Sequence, residues 1–483
     1  MQRREFIKSA AMAAGAQLIL CGCRTFCGNS KINVAVIGCG RISTEFEVPG
    51  VLNRLDIARI VAVCDLDMKR AKLTAECVEK WYADGTKVRV YRDYKEVCAQ
   101  SDVDAVMICV PDFWHALIAT TAICSGKAVW LQKPFAQTIR EGRLVANLAK
   151  RYRTVFQVGS QQRNWSQFQA AVKAVQSGVL GDIRRVEVGL GTDPAGGSSA
   201  PQKVPETFDY QTWLGPTDPS APYCESRCHS QSDQRERPGW IELMPYGWGM
   251  ITNWGAHHLD IARWGLGAAG PEGVEGTCTW LDTSGGKLWN VHDTYDLHFK
   301  FNGGRTDVHV SDKFQLGVKF IGEKGDWIFC TRGAFKVTPT DPDPVVVPGE
   351  LGPLEASSPK FLPEMWKMEK SCLQLHVDDW LEAIAANDPT RTATNAEEGH
   401  RSTALSSLGM MCMELGRGRK GGISLDWDAV RETTGKAEYD SLMKPFANGR
   451  FDLGINLAEF GLDLRQVMEG RQCCRAEDGI TCT

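Results

Sequence analysis

The chain has 483 residues, enough for two or three domains with separate cores. Its 43% hydrophobic and 24% charged content is that of a globular protein, and a formal net charge of -4 without a basic stripe excludes nucleic acid as a partner. After the first residues no stretch reaches the roughly 20 apolar residues of a membrane span.

The chain opens with Arg3-Arg4-Glu5-Phe6-Ile7-Lys8, followed by an apolar run from Ala10 to Leu20. This reads as a twin-arginine export signal. Leu20-Cys21-Gly22-Cys23 resembles a lipoprotein cleavage box with Cys23 as the acylated residue; a plain signal cut near Ala14-Gly15-Ala16 is the alternative. The expected location is therefore periplasmic, or membrane-anchored by lipidation. Residues 1–30 are set apart as a leader.

From Lys31, short apolar runs alternate with helical stretches. Strands are expected at Ile32–Ile37, Ile57–Cys64, Ala105–Val110, Ala128–Leu131 and Val155–Val158. Helices are expected from Ile42, at Asp67–Lys80 and Trp114–Ser125, and from the capping box Thr138-Ile139-Arg140-Glu141 to about Arg151. Such alternation implies parallel strands with right-handed crossovers, a Rossmann domain over residues 31–158.

Past Gly159 the pattern changes to a helix near Phe168–Ser177 and a strand at Ile183–Leu190. A Gly/Pro/Ser-rich stretch from Thr192 to Gly249 has the length of a lid or functional surface. Strands resume at Tyr295–Phe301, Thr306–Val310, Val318–Ile321 and Asp326–Cys330, separated by glycine turns that suggest an antiparallel sheet. Pro339–Pro363 reads as a loop, and helices follow near Ser371–Ala386 and Asn395–Leu415. The expected fold is an α/β Rossmann domain plus an α+β domain with an open, mostly antiparallel sheet. The second domain, for substrate and oligomerisation, spans 159–445, and 446–483 is a tail.

The 18 cysteines do not read as a disulfide framework. Cys39 lies in a glycine turn and Cys64 and Cys109 end apolar strand-like runs, where small buried thiols are ordinary. Cys224/Cys228 and Cys473/Cys474/Cys482 lie in polar sequence and are candidates for pairing in an oxidising compartment. No metal-ligand spacing is evident.

Gly38-Cys39-Gly40-Arg41-Ile42-Ser43 follows the first strand and opens a helix. The first glycine permits the tight turn, the second lets a pyrophosphate approach the backbone, and Ser43 is small enough for close helix packing. Free amides and the helix dipole then hold the phosphate. Asp65 closes the second strand, where a carboxylate bonds ribose hydroxyls and repels a 2′-phosphate. Leu66 brings no compensating cation, so NAD is favoured over NADP.

Val110-Pro111-Asp112-Phe113-Trp114-His115, Gln132-Lys133-Pro134, Val158-Gly159-Ser160-Gln161, Trp213-Leu214-Gly215-Pro216 and Asn253-Trp254-Gly255-Ala256-His257-His258-Leu259-Asp260 occur in that order. In them the chain resembles the Gfo/Idh/MocA oxidoreductases from about Lys31 to Trp427. The resemblance implies a two-domain NAD(P) enzyme acting on sugars, inositols or related polyols at the domain cleft. Lys133 would bond the reacting hydroxyl, His257 would be the general base, and Asp260, three residues on, would share its helix face and pair with it. Pro111, Trp114, His115, Gln132 and Gln161 join Arg41 and Ile42 as cofactor contacts. Two positions depart from the family pattern. Gln132 stands for glutamate, and Asn253 for the aspartate one turn before His257, leaving an imidazolium there less stabilised. Trp240, Tyr246, Trp248 and Trp254 are candidates to face a sugar ring, and His229, Arg235 and Arg237 to bind its substituents.

Twin-arginine systems carry folded cargo, and free NAD is expected to be scarce outside the cytoplasm. The expectation is a tightly held NAD, reoxidised in the same site. Three classes follow: a sugar or polyol oxidoreductase first, a redox-neutral NAD-dependent glycoside hydrolase second, and a non-catalytic sugar-binding protein third. A homo-oligomer is expected through the exposed sheet face.

Overall fold

The computed structural model describes residues 31–337, 341–345, 372–440 and 467–468. The leader with Arg3, Arg4 and Cys23, and the cysteines at 473, 474 and 482, lie outside the described residues. No described helix is long and apolar enough to cross a membrane.

The first sheet holds six parallel strands in the order β3-β2-β1-β4-β5-β6. These are β1 (Ile32–Ile37), β2 (Ala58–Cys64), β3 (Arg89–Tyr91), β4 (Ala105–Ile108), β5 (Ala128–Leu131) and β6 (Phe156–Val158). The central strands are apolar on both faces because both are covered. Helices His115–Cys124 and Ile139–Arg151 build the core on one side. The second of these starts at the expected capping box: the Thr138 hydroxyl accepts from the Glu141 amide at 3.3 Å, and the Glu141 carboxylate accepts from the Thr138 amide at 3.0 Å.

The opposite side is closed by Met68–Tyr82 and, from far along the chain, by helix Cys372–Ala385. Val377 and Trp380 of that late helix are fully buried against Trp130, Val36 and Val48. Gly50 makes this approach possible, since a Cβ there would lie 2.7 Å from Val377. The late helix belongs by position to the second domain yet completes the core of the first. Val467 in the tail also packs on the Rossmann side, where its carbonyl accepts from Asn147 at 2.8 Å.

The second sheet has nine strands in the order β14-β13-β12-β11-β7-β10-β9-β8-β15, antiparallel except for the β7–β10 pair. They are β7 (Ile183–Gly189), β8 (Gly273–Trp280), β9 (His292–Phe301), β10 (Thr306–Ser311), β11 (Gly317–Gly322), β12 (Trp327–Thr331), β13 (Ala334–Val337), β14 (Asp341–Val345) and β15 (Ile423–Asp426). Helices Ser166–Gln176, Gly255–Leu266 and Ala396–Leu415 cover one face. The Pro339–Pro363 stretch read as a loop therefore contains a strand, β14. Strands β3, β8, β13 and β15 were also not expected. β3, β13 and β15 have only three or four residues and β8 is interrupted by Gly276, so neighbouring strands rather than their own periodicity hold them in register.

Candidate active site and dinucleotide pocket

One cavity of about 1460 Å³ runs between the two domains. Gly38, Gly40, Arg41, Ile42 and Asp65 line it at one end, and Lys133, Asn253 and His257 at the other. The chain leaves β1 at Gly38 with φ +93°, and a Cβ there would sit 2.2 Å from the Cys109 carbonyl oxygen. Only glycine lets the turn pass the end of β4. Gly40 has nothing within 4 Å of where its Cβ would be, so its bare backbone faces the cavity. The Asp65 carboxylate accepts from the Cys39 amide at 2.7 Å and the Asp67 amide at 2.8 Å, holding the turn against β2. Burial raises its pKa. Ser43 lies buried beneath the turn and does not line the cavity, so it packs the helix and is not a cofactor contact.

This cradle fits a dinucleotide. A bare glycine turn at a helix start suits a pyrophosphate, and Asp65 stands where a ribose would lie. Gln161 lines the far end with its buried Oε1 unpartnered among the described residues. Arg70, which the sequence did not single out, also lines the cavity and sits close enough to Asp65 to lower its pKa.

Lys133 follows β5 and reaches across to the other domain. Its Nζ donates to the Asn253 backbone carbonyl at 3.1 Å and to the Asn253 side-chain oxygen. Asn253 therefore partners Lys133, not His257 as its sequence position suggested. Burial pushes the Lys133 ammonium well below its ordinary range, opposed by the Asp112 carboxylate. Burial in turn drives Asp112 upward, opposed by Lys133.

Beneath them sits a group the sequence reading missed. The Gln132 amide donates to Glu47, and its carbonyl accepts from the Lys133 backbone N–H at 2.9 Å. Glu47 is buried, its Oε2 has no partner among the described residues, and burial pushes its pKa up to about 8. It comes from the π-wound turn Ser43–Glu47, and no local pattern ties it to position 132.

His257 lies on helix Gly255–Leu266 with a buried Nδ1 unpartnered among the described residues. Burial holds its pKa well below the ordinary value, with further lowering from Arg332 and then Lys133. The imidazole is neutral. His258 turns away and bonds the Gly189 carbonyl at 2.8 Å.

Asp260 does not pair with His257. Its carboxylate is held by Arg163 at 2.6 and 2.8 Å and by Ser402, off the cavity. A guanidinium from the chain after β6 outcompetes a neutral imidazole for it. His115 is also displaced from its expected role. It is fully buried between the two loops that carry the pocket, its Nδ1 2.6 Å from the Pro134 carbonyl and its Nε2 2.9 Å from the Val110 carbonyl, and a neutral ring donates its single N–H to one of them. Pro111 and Trp114 do line the cavity, and Trp114 donates to the Trp213 carbonyl at 3.0 Å.

The long 192–249 stretch supplies one wall of the cavity, including Trp213, Gly215 and Trp240. Trp254 lines it too, whereas Tyr246 and Trp248 are core side chains. His229 lies 3.4 Å from Asp67 at the dinucleotide end, and Arg237 is paired with Glu242 at 2.5 Å. Cys224 and Cys228 are buried and unbonded, so the expected pairing is not formed.

Residues 32–160 match the family described as "Oxidoreductase family, NAD-binding Rossmann fold" (GFO_IDH_MocA). An inositol 2-dehydrogenase of Burkholderia cenocepacia is 32% identical over 152 residues, which are 31% of this chain and 43% of that protein. A glycosyl hydrolase family 109 protein of Phocaeicola vulgatus is 27% identical over 188 residues, 38% of this chain and 34% of that protein. The chain thus spans less than half the length of these relatives. Among solved structures, the aldose-aldose oxidoreductase of Caulobacter crescentus complexed with glycerol superposes with a TM-score of 0.56 at 17% identity. That match covers 82% of this chain and all (100%) of the other, and it is a likeness of fold. Residues 32–160 thus carry the NAD-binding Rossmann domain of the Gfo/Idh/MocA oxidoreductase family.

Proposed function

We propose that the protein is an NAD-dependent enzyme acting on a hydroxyl-bearing carbon of a sugar or polyol, with the dinucleotide retained between turnovers. One observation carries the reading: Lys133 and His257 face the same cavity as the glycine turn. When bound, the nicotinamide supplies a two-electron partner for the carbon.

Lys133 has the proton affinity for the acid–base role. Desolvation brings its ammonium down toward neutrality, so it exchanges the hydroxyl proton near working pH. The Asn253 oxygens hold its Nζ at the cavity wall. In its charged form it stabilises alkoxide character on the substrate oxygen. His257, kept neutral, accepts or donates a hydrogen bond to orient that hydroxyl. The general-base role expected of His257 thus passes to Lys133.

NAD is preferred because Asp65 faces the ribose end; Arg70 beside it is the feature that favours NADP. The twin-arginine leader and Cys23 support export with a lipid anchor, and hence a bound cofactor. A homo-oligomer through the open sheet face remains part of the proposal. The glycosidase match favours a second reading: transient oxidation of a glycoside, elimination of its substituent, addition of water and re-reduction, with no net redox change.

The test is to release and identify the nucleotide from the purified folded protein, then to incubate the protein with polyols, aldoses and glycosides and analyse products. Net oxidation or reduction supports the first reading, and a freed aglycone without net redox change supports the second. A nucleotide-free protein that alters none of these compounds contradicts both.

A further inference from the structure

The open face of the nine-stranded sheet carries a side-chain cluster that the pocket does not use. On β9 and β10, His298 and His309 are directly opposed in the antiparallel register, and Asp296 lies two residues along β9 on the same face. The intervening Leu297, Phe299, Val308 and Val310 point to the buried side, so the strand period itself gathers the polar set outward. The two imidazoles stack with centroids 4.0 Å apart and planes at 24°. One ligand atom each from Asp296, His298 and His309 lies within 4.8 Å of the others. None of the three lines the dinucleotide cavity.

The hydrogen-bond logic of His298 points to a cation. Its Nδ1 faces the Asp307 carboxylate at 3.0 and 3.1 Å, and its Nε2 faces Asp296 Oδ1 at 3.4 Å. A neutral imidazole carries one N–H, and Asp307 takes it at Nδ1. Nε2 then presents a lone pair to a carboxylate, an arrangement that needs a second proton or a metal ion between them. His309 Nε2 converges on the same Asp296 oxygen.

We infer that Asp296, His298 and His309 form a binding site for a divalent transition cation of the zinc type, separate from the active site. Two imidazoles and one carboxylate, with water completing a tetrahedron, are a donor set suited to Zn²⁺. Asp307 plays the outer role, fixing the His298 ring with Nε2 toward the ion. Rigid, paired strands preset the ligands. The sequence hides the set because strand register, not local spacing, brings position 309 opposite 298.

Arg185 opposes occupancy. Its guanidinium contacts His309 Nδ1, which must then be the acceptor, leaving the proton on Nε2 where the metal would bind. Binding at Nε2 moves that proton to Nδ1 and displaces Arg185, whose Nε already lies 3.5 Å from Glu187.

The experiment titrates Zn²⁺ into the chelator-treated full chain by calorimetry, with Co²⁺ absorption to report ligand type. One ion per chain is expected, with nitrogen and oxygen ligation. His298→Gln, His309→Gln and Asp296→Asn should each weaken binding at least about tenfold, and Asp307→Asn by about 10- to 100-fold. Arg185→Gln should tighten it, which a misfolded variant would not do. Bound nucleotide should be unchanged throughout, reporting intact folding. No saturable binding, thiolate bands in the Co²⁺ spectrum, or affinity unchanged in His298→Gln and His309→Gln would overturn the inference.

Discussion

At the dinucleotide end of the cavity, backbone shape does most of the work. Gly38 clears the Cys109 carbonyl, Gly40 exposes its amide plane, and Asp65 is already engaged in bracing the turn. At the other end, side chains do it: Lys133 is stretched to Asn253, the His257 Nδ1 has no partner among the described residues, and Gln132 is pinned by Glu47. The first wall is a shape that tolerates no added atom at Gly38. The second is a set of desolvated groups whose proton affinities burial has displaced. A wall made of shape should fail by losing its ligand, whereas a wall made of displaced proton affinities should fail by losing rate while keeping the ligand.

The comparison is broken most severely at Lys133. Lys133→Met should lower kcat/KM by about 10²- to 10⁴-fold, the range for losing an acid–base group, with nucleotide content unchanged. Steady-state kinetics beside nucleotide quantification checks this.

The Arg163–Asp260 pair tests the reassignment of Asp260. Breaking this buried bidentate pair with Arg163→Met should cost about 3–5 kcal/mol, read from the urea midpoint. Asp260→Asn should likewise lose stability but keep its kcat. A selective loss of kcat in a stable Asp260→Asn protein would return that carboxylate to the catalytic set.

Gly38→Ala should destabilise the fold by about 1–3 kcal/mol, since it combines a left-handed φ with a 2.2 Å contact, and should empty the pocket of nucleotide.

A pH-dependent effect is expected at Glu47, whose carboxyl is raised from 4.5 to about 8 in the folded protein. The native state binds this proton more tightly than the unfolded chain does. Its stabilising contribution is therefore complete below the ordinary carboxylate range and is lost as pH rises through about 8. Urea midpoints measured below and above that pH should converge in Glu47→Gln.

The two walls were also unequally legible. The glycine turn and Asp65 could be read because their physics is local: a strand, a tight turn and a second strand end close together in sequence. Lys133 stood out through its motif. Glu47 was missed because its partnership with Gln132 spans 85 residues and depends on the winding of one turn. Asp260 was misassigned for a related reason. Helical spacing brought it near His257, but the competing Arg163 arrives from the chain just after β6, 97 residues away. His115 looked like a ring for the cofactor, and only the approach of the Pro134 and Val110 carbonyls to its two nitrogens shows that it is turned into the core. Helix Cys372–Ala385, called correctly as a helix, gave no hint that Gly50 reserves space for it. In each case the missing information was which distant chain segment arrives.

The most direct test is to measure bound nicotinamide nucleotide and turnover side by side in the unaltered protein, Gly38→Ala and Lys133→Met. The account predicts an unaltered protein with nucleotide and activity, a Gly38→Ala protein depleted of nucleotide, and a Lys133→Met protein that keeps its nucleotide and turns over at least about a hundredfold more slowly. A Lys133→Met protein with undiminished turnover, or an unaltered protein that binds no nicotinamide nucleotide, would contradict it.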